Sequence, residues 1–239
     1  MKKLFSIGLI LSMLFLAMSA QAQVHAGLTG GFNFSDLDMK IMGYENEVTS
    51  RTVYGVGGVV DVYLNKTIAV RLEPKYQLRG GVILDDVYLP DDIIDDIPIS
   101  GVGLTLKSSY IEIPVLLKAE FGKIIKPYII AGPTIGFLLS SKMEVKAYGM
   151  ALNVDLKDIT EELFFGIGVG FGMSFPFGLG SFFMEGKYTF GLTELQKTGK
   201  QIIGIGPIVE DVDIEEGILE YTNKGFEIMV GFTVPLTIP

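Results

Sequence analysis

The stretch FFGIGVGFGMSFPFGLGSFFM, residues 164–184, decides the fold of this chain. It carries no charge and has the length of a membrane-crossing helix. However, four of its glycines alternate strictly with larger apolar residues, namely Gly166, Gly168, Gly170 and Gly172. A period of two collects the bulk on one face of a strand, whereas a helix would scatter the glycines around its surface. Because residues 176–180 are rich in Pro and Gly, we expect two strands joined by a tight turn.

The same period of two recurs along the chain in eight segments. They cover residues 23–34, 52–64, 67–79, 108–121, 127–140, 162–175, 181–193 and 223–236. All exceed the usual soluble strand of about 5–6 residues and reach the length of a transmembrane strand, about 9–11 residues. One face of each segment is apolar and nearly free of charge, while the other mixes glycine with polar and charged residues.

The connections between these segments alternate in length. Three are short, at residues 65–66, 122–126 and 176–180, and four are long, at residues 35–51, 80–107, 141–161 and 194–222. Short turns on one side and long loops on the other are typical of outer-membrane barrels. The sequence therefore predicts an all-β fold, an eight-stranded antiparallel transmembrane up-and-down β-barrel with both termini on the periplasmic side. The alternative is a secreted, soluble, lipocalin-like barrel that binds lipid, in which the apolar faces point inward.

The first 22 residues have the pattern of a secretory signal peptide. Lys2 and Lys3 precede an apolar region at residues 4–17, and Ala20-Gln21-Ala22 forms a small-x-small cleavage site. The apolar region is short for an uncleaved helical anchor. We therefore expect two parts, a cleavable signal peptide at residues 1–22 and a barrel domain at residues 23–239, exported to the outer membrane of a Gram-negative bacterium.

Composition and residue usage exclude several function classes. The net charge of −9 and the pI of about 4.7 disfavour binding to nucleic acid, which needs clustered Lys and Arg. The absence of cysteine excludes disulfides and thiolate chemistry. The only histidine, His25, lies next to the predicted cleavage site, and no G-x-S-x-G motif is present, so we expect no enzyme and no cofactor. We expect a monomer in contact with outer-membrane lipid.

Charged residues on the polar faces are predicted to point into the barrel. They are Arg71, Glu73, Lys75, Glu112, Lys118, Glu120, Glu185, Lys187 and Glu227. The bore of an eight-stranded barrel is just wide enough to be filled by side chains. We interpret these residues as a structural network of ion pairs, since an unpaired buried charge is costly. The alternative is a narrow ion-conducting path.

The long connection at residues 80–107 contains three pairs of aspartates: Asp85 and Asp86, Asp91 and Asp92, and Asp95 and Asp96. Carboxylates are ligands for calcium, which makes this loop a weak calcium candidate, but the spacing differs from an EF-hand loop. A solvated acidic surface is the simpler interpretation. The apolar residues of the same connection, among them Ile83, Leu84 and Val87, indicate either a partner site or an extension of the strands beyond the membrane.

Five segments carry a further signal, namely GLTGGFNFSDL at residues 27–37, YIEIPVLLKAEFG at 110–122, KPYIIAGPTIGFLLS at 126–140, FFMEGKYTFGLTEL at 182–195 and GFEIMVGFTVPL at 225–236. They resemble the PorT-family outer-membrane β-barrel domain of Bacteroidota. The resemblance implies a non-enzymatic outer-membrane barrel. It also implies candidate partners among envelope or secretion proteins, since the named member of that family assists protein secretion. No catalytic motif of the family transfers to this chain.

Overall fold

The computed structural model describes residues 23–41, 43–46, 48–87, 102–147, 150–197, 199–205, 208–214 and 219–236. The predicted signal peptide lies outside the described residues. The strands are β1 (Gln23–Ile41), β2 (Tyr44–Asn46), β3 (Thr49–Tyr63), β4 (Ile68–Leu72), β5 (Lys75–Val87), β6 (Val102–Glu120), β7 (Lys126–Ala147), β8 (Met150–Asp155), β9 (Leu163–Phe177), β10 (Gly180–Gly191), β11 (Gly199–Ile205), β12 (Ile208–Ile214) and β13 (Leu219–Leu236). One short 3-10 helix, Lys157–Ile159, follows β8.

The strands close into a ring of eight antiparallel neighbours. The order around the ring is β1, β3, β4 with β5, β6, β7, β9, β10 and β13, and β13 pairs again with β1. In this ring each of the eight neighbours pairs with a strand on both sides, so the ring itself has no edge strand. The all-β, eight-stranded antiparallel barrel predicted from the sequence is confirmed.

The segment at residues 67–79, predicted as one strand, is divided into β4 and β5 at Glu73 and Pro74. The register against β6 continues unchanged, from Leu72 opposite Val115 to Lys75 opposite Glu112. Proline has no N–H group to donate to the ladder. Pro74 and Pro114, the latter opposite Glu73, both lack this donor, so the hydrogen bonding is interrupted although the chain path is continuous.

The strands extend into the long connections that the alternation predicts. The β1–β13 ladder continues to Ile41 opposite Leu219, and the β6–β7 ladder continues to Gly103 opposite Lys146. The hairpins β7–β8 and β11–β12 also lie in residues predicted as loop. The alternation predicts strand ends where the outer face becomes polar, but paired strands keep their hydrogen bonds in water as well as in lipid. Residues 80–87 and 102–107 are therefore strand extensions.

The outer surface of the barrel is an apolar belt. On β1 it runs from Val24 to Phe34 and ends at Asp36, and on β13 it ends at Lys224. About ten residues tilted by about 40° give a belt about 25 Å tall, the height of the apolar band on outer-membrane barrels. Leu28, for example, is 74% exposed.

Aromatic side chains border the belt at both ends. The rings of Phe182 and Phe232, near the short turns, lie 4.7 Å apart, and those of Tyr188 and Phe190, near the long connections, lie 4.5 Å apart. Such girdles mark the two membrane interfaces. The apolar face therefore points outward, and the soluble barrel with an apolar interior is excluded. Within the part of the chain that the structure describes, no helix is long and apolar enough to cross a membrane.

The short turns lie together at one end of the barrel with both ends of the barrel domain. Asn65 stabilises the first turn, because its Oδ1 accepts hydrogen bonds from the N–H groups of Thr67 and Ile68. The third turn is tighter than predicted, since β9 extends to Phe177 and only Gly178 and Leu179 connect it to β10. Gly178 has φ of +59°, a conformation that glycine adopts without strain. Short turns are periplasmic in outer-membrane barrels, which sets the orientation of the chain.

Candidate functional site

The barrel interior holds a network of buried charges. All nine side chains named from the sequence point inward and are buried: Arg71, Glu73, Lys75, Glu112, Lys118, Glu120, Glu185, Lys187 and Glu227. The structure brings them together and adds two more, Asp61 on β3 and Arg79 on β5. Both lie on the polar faces of their alternating segments, so the same alternation predicts that they point into the barrel.

Arg71 occupies the middle of the barrel. Its Nε and Nη2 donate to the two carboxylate oxygens of Asp61 at 2.6 and 2.8 Å, and its Nη1 donates to Glu185 Oε2 at 2.6 Å. The Tyr128 hydroxyl also donates to Glu185 Oε2, at 2.9 Å. The guanidinium carbon lies 4.7 Å from the ring centre of Phe183. Arg71 therefore joins β3, β4 and β10 across the bore with charge-assisted hydrogen bonds.

Lys187 continues the network toward β5 and β13. Its Nζ lies 2.6 Å from Glu73 Oε2 and 3.5 Å from Glu227 Oε2. Lys75 donates a hydrogen bond to the same Glu227 oxygen. Each of these carboxylates thus has a cation within ion-pair distance on another strand, which offsets part of the cost of burying both charges.

Within the interior network, the Arg79–Glu112 ion pair lies on the side of the long connections. Arg79 Nε donates to Glu112 Oε1, and Arg79 Nη2 donates to Glu112 Oε2 at 3.0 Å. The Arg79 guanidinium also lies 4.8 Å from the ring centre of Phe164, within the range of a cation–π interaction. Its Nη2 is 3.8 Å from Glu227 Oε1, which links this pair to the Lys187 group.

Lys118 carries the network to the periplasmic end. Its Nζ lies 3.1 Å from Asp61 Oδ2 and 2.7 Å from Glu120 Oε2. Glu120 also accepts a hydrogen bond from the Tyr63 hydroxyl at 3.1 Å and lies 2.9 Å from the half-buried Lys126. One connected series of ion pairs therefore extends from the periplasmic rim to the upper part of the barrel.

The glycines of β9 make room for the large inward side chains. A Cβ on Gly172 would lie 2.4 Å from the Tyr128 ring, and one on Gly170 would lie 2.5 Å from the Gly186 carbonyl oxygen and 3.1 Å from the Lys187 Cβ. Such distances leave no space for a methyl group at Gly172. In the alternating part of residues 164–184, the glycines therefore face the barrel interior and the larger apolar residues face the lipid.

Two apolar clusters complete the interior. One is buried among the charges and consists of Val59, Leu116, Tyr128, Ile130 and Phe183. The other lies above the Arg79–Glu112 pair and consists of Leu37, Met39, Leu106, Tyr110, Leu138, Phe164, Leu195 and Tyr221. Arg71, Arg79, Lys118 and Lys187 are each 2% exposed or less. Water in an open bore would reach such side chains, so the interior is closed at their level.

The strand extensions above the belt carry ion pairs of their own. Lys107 donates a hydrogen bond to Glu144, which lowers the pKa of that carboxyl group. A hydrogen bond to Asp38 raises the pKa of Lys224. A cleft of about 880 Å³ opens beside the second pair. It is lined by Asp36, Leu37, Asp38, Met39, Lys40, Val48, Thr49, Glu194, Glu220, Tyr221, Thr222 and Lys224.

The weak calcium candidate falls largely outside the described residues. This applies to Asp91, Asp92, Asp95 and Asp96, whereas Asp85 and Asp86 belong to β5 with side chains outside the description. Among the described residues, no group of three or more His, Asp or Glu side chains is arranged to hold a metal ion. His25 lies at the periplasmic end of β1, with its ring centre 4.9 Å from that of Tyr63.

An outward apolar belt, aromatic girdles and a charged interior define an outer-membrane β-barrel protein of a Gram-negative bacterium. The chain belongs to the family described as "Outer membrane protein beta-barrel domain", whose model matches residues 19–197. A comparison with curated protein sequences found no match.

Solved structures with a similar fold include other outer-membrane proteins. A major outer membrane protein from Thermus thermophilus is 9% identical and has a TM-score of 0.53, with 90% of this chain and 99% of that chain covered. OprG from Pseudomonas aeruginosa is 12% identical, with a TM-score of 0.48 and coverage of 92% and 99%. Neisserial surface protein A is 12% identical, with a TM-score of 0.41 and coverage of 89% and 97%. At 9% identity, the likeness to the Thermus thermophilus protein shows the fold alone.

Proposed function

We propose that this protein is a non-enzymatic outer-membrane barrel that binds a partner through the β-structure rising above the membrane. The observation that carries the proposal is the closed interior, in which the guanidinium of Arg71 and the ammonium of Lys187 are almost inaccessible to water. Because a closed barrel does not conduct solutes, its function is expected to reside in the parts that extend beyond the membrane. The extensions of β1 with β13 and of β6 with β7 and β8 form walls there.

The walls present both charge and apolar surface. Met150 and Leu152 on β8 are 72% and 56% exposed, beyond the apolar belt. The cleft beside Lys224 combines carboxylates with two lysines. The resemblance to the PorT family supports a partner that acts in secretion or in envelope integrity, and β-structure of this kind offers it a rigid surface.

Crosslinking in intact cells tests the binding role. A photoreactive residue at Met150 or Leu152 is expected to capture a discrete partner, whereas one at Val169, on the lipid face of β9, is expected to capture none. Equal patterns at Val169 and at the β8 positions, or no product at either Met150 or Leu152, would contradict the proposal.

Planar-bilayer recording separates this function from a narrow ion channel. We expect neither the purified barrel nor the Arg71→Leu variant to give defined conductance steps. Reproducible single-channel steps of the unmodified protein that vanish or change in Arg71→Leu would instead assign the interior charges to an ion-conducting path.

A further inference from the structure

Charge is distributed very unevenly between the two ends of the barrel. The four long connections predicted from the sequence contain 21 acidic and 8 basic residues, which gives them a net charge of −13. The three short connections contain three lysines, Lys66, Lys123 and Lys126, and no acidic residue. The periplasmic turns are therefore basic, although the protein as a whole is strongly acidic.

The same turns expose large apolar side chains. Ile124 in the second turn is 85% exposed, and Leu179 at the tip of the third is 89% exposed. Ile125 beside them is 51% exposed. They lie at the periplasmic end of the barrel, close to the Phe182–Phe232 pair that borders the lipid-facing belt.

The lysines lie on neighbouring turns. The first and second turns are adjacent in the ring, because β4 pairs with β6 and the Glu120 N–H donates to the Thr67 carbonyl at 2.7 Å. Lys66 and Lys123 are exposed, and among the described residues neither has a carboxylate within ion-pair distance. Lys126 is partly engaged by Glu120 at 2.9 Å. The arrangement is a local positive surface at one interface of the membrane.

We propose that Lys66, Lys123 and Lys126, together with Ile124 and Leu179, bind the headgroups of anionic phospholipids in the periplasmic leaflet. Apolar tips place the turns among the acyl chains near the headgroups, and lysines extend their ammonium groups to the phosphates. The opposite, acidic end would repel the same lipids. The proposal depends on the orientation of the barrel in the membrane and not on the partner proposed above.

Lipid titration of the refolded, detergent-solubilised protein, followed by native mass spectrometry, tests this. Phosphatidylglycerol is expected to bind at least about tenfold more tightly than phosphatidylcholine, since each lysine near an anionic surface contributes roughly fivefold. Changing Lys66, Lys123 and Lys126 to Gln is expected to remove most of that preference. The matched control changes three lysines at the other end, Lys142, Lys146 and Lys157, to Gln and is expected to retain it.

Heat-modifiable gel mobility confirms folding of each variant. Should the triple variant fail to fold, the double variant Lys66→Gln/Lys123→Gln leaves the Lys126–Glu120 pair intact and is expected to lose at least about fivefold of the preference. Equal losses in the control would overturn the proposal by showing a nonspecific effect of net charge. An unmodified protein without preference for phosphatidylglycerol would overturn it as well and would point to a periplasmic protein as the occupant of the turns.

Discussion

Arg71 and Asp61 face each other on neighbouring barrel strands and form a two-pronged ion pair, with N–O distances of 2.6 and 2.8 Å. The pair is nearly inaccessible to water, and both members have further partners, Glu185 for the arginine and Lys118 for the aspartate. It therefore connects the periplasmic part of the interior network to its middle. Removing either member leaves its partner charge buried with fewer counter-charges.

We expect Arg71→Met to lower the free energy of unfolding by about 3–5 kcal/mol, the usual cost of breaking a buried ion pair. Arg71→Lys is expected to lose less, because it keeps the charge but not the planar fork that bonds both oxygens of Asp61. Urea unfolding in lipid vesicles measures both. In a double-mutant cycle with Asp61→Asn, the effects should be clearly non-additive. Additive effects, or an Arg71→Met barrel as stable as the unmodified one, would contradict an energetic role for the network.

The interior glycines of β9 offer a matched pair of substitutions. A Cβ on Gly172 would lie 2.4 Å from the Tyr128 ring and 2.6 Å from the Met184 carbonyl oxygen, whereas one on Gly168 would lie at an ordinary 3.4 Å from the Lys187 Cδ. We expect Gly172→Ala to destabilise the barrel by about 1–3 kcal/mol through overpacking. Gly168→Ala is expected to stay within about 0.5 kcal/mol. The difference in urea midpoint between these two variants is the measurement, and similar midpoints would count against the packing described.

The absence of cysteine allows the membrane orientation to be mapped with single introduced thiols. Lys123→Cys in the second short turn is expected to resist a membrane-impermeant maleimide in intact cells and to react after the outer membrane is opened. Met150→Cys and Asp155→Cys on β8 are expected to react without that treatment, because they lie above the apolar belt. The reverse labelling pattern would place the short turns outside the cell and would contradict the orientation.

The Lys107–Glu144 pair predicts a local pH dependence. The hydrogen bond from Lys107 lowers the pKa of Glu144, so its contribution to folding is present above the usual pKa of a glutamate and is lost as the pH falls through the lowered value. Lys107→Gln is therefore expected to raise the pKa of Glu144. NMR titration of the Glu144 carboxyl group measures this change. Lys142→Gln, on the same outer face, serves as the control and should leave the pKa of Glu144 unchanged.

The period of two was sufficient to predict the eight barrel strands, because alternation of faces is a local property of an extended chain. It also placed the nine charges on the inner face, since the lipid-facing side tolerates few of them. The register between distant strands was not predictable in this way. Arg71 is paired with Glu185, 114 residues further along the chain, and only closure of the ring brings them within 2.6 Å.

The strand ends were harder to predict, for a related reason. Beyond Phe34 the outer face of β1 becomes polar at Asp36 and Asp38, and the sequence signal for a membrane strand ends there. The ladder itself continues to Ile41 because β13 supplies its hydrogen bonds. At Pro74 the reverse holds. The side-chain alternation continues, but the strand is divided because proline has no N–H group to donate.

The sequence by itself therefore determined the class of fold, the number of barrel strands, and the division of each strand into an apolar and a charged or glycine-rich face, all of which follow from side-chain alternation along single strands. Only the tertiary structure decided that the apolar face is the outer one, which charges meet, which glycines accommodate Tyr128 and Lys187, and that Asp61 and Arg79 belong to the same network. Those contacts join residues far apart in the chain, and they depend on the register and curvature of a closed ring, which no single strand encodes.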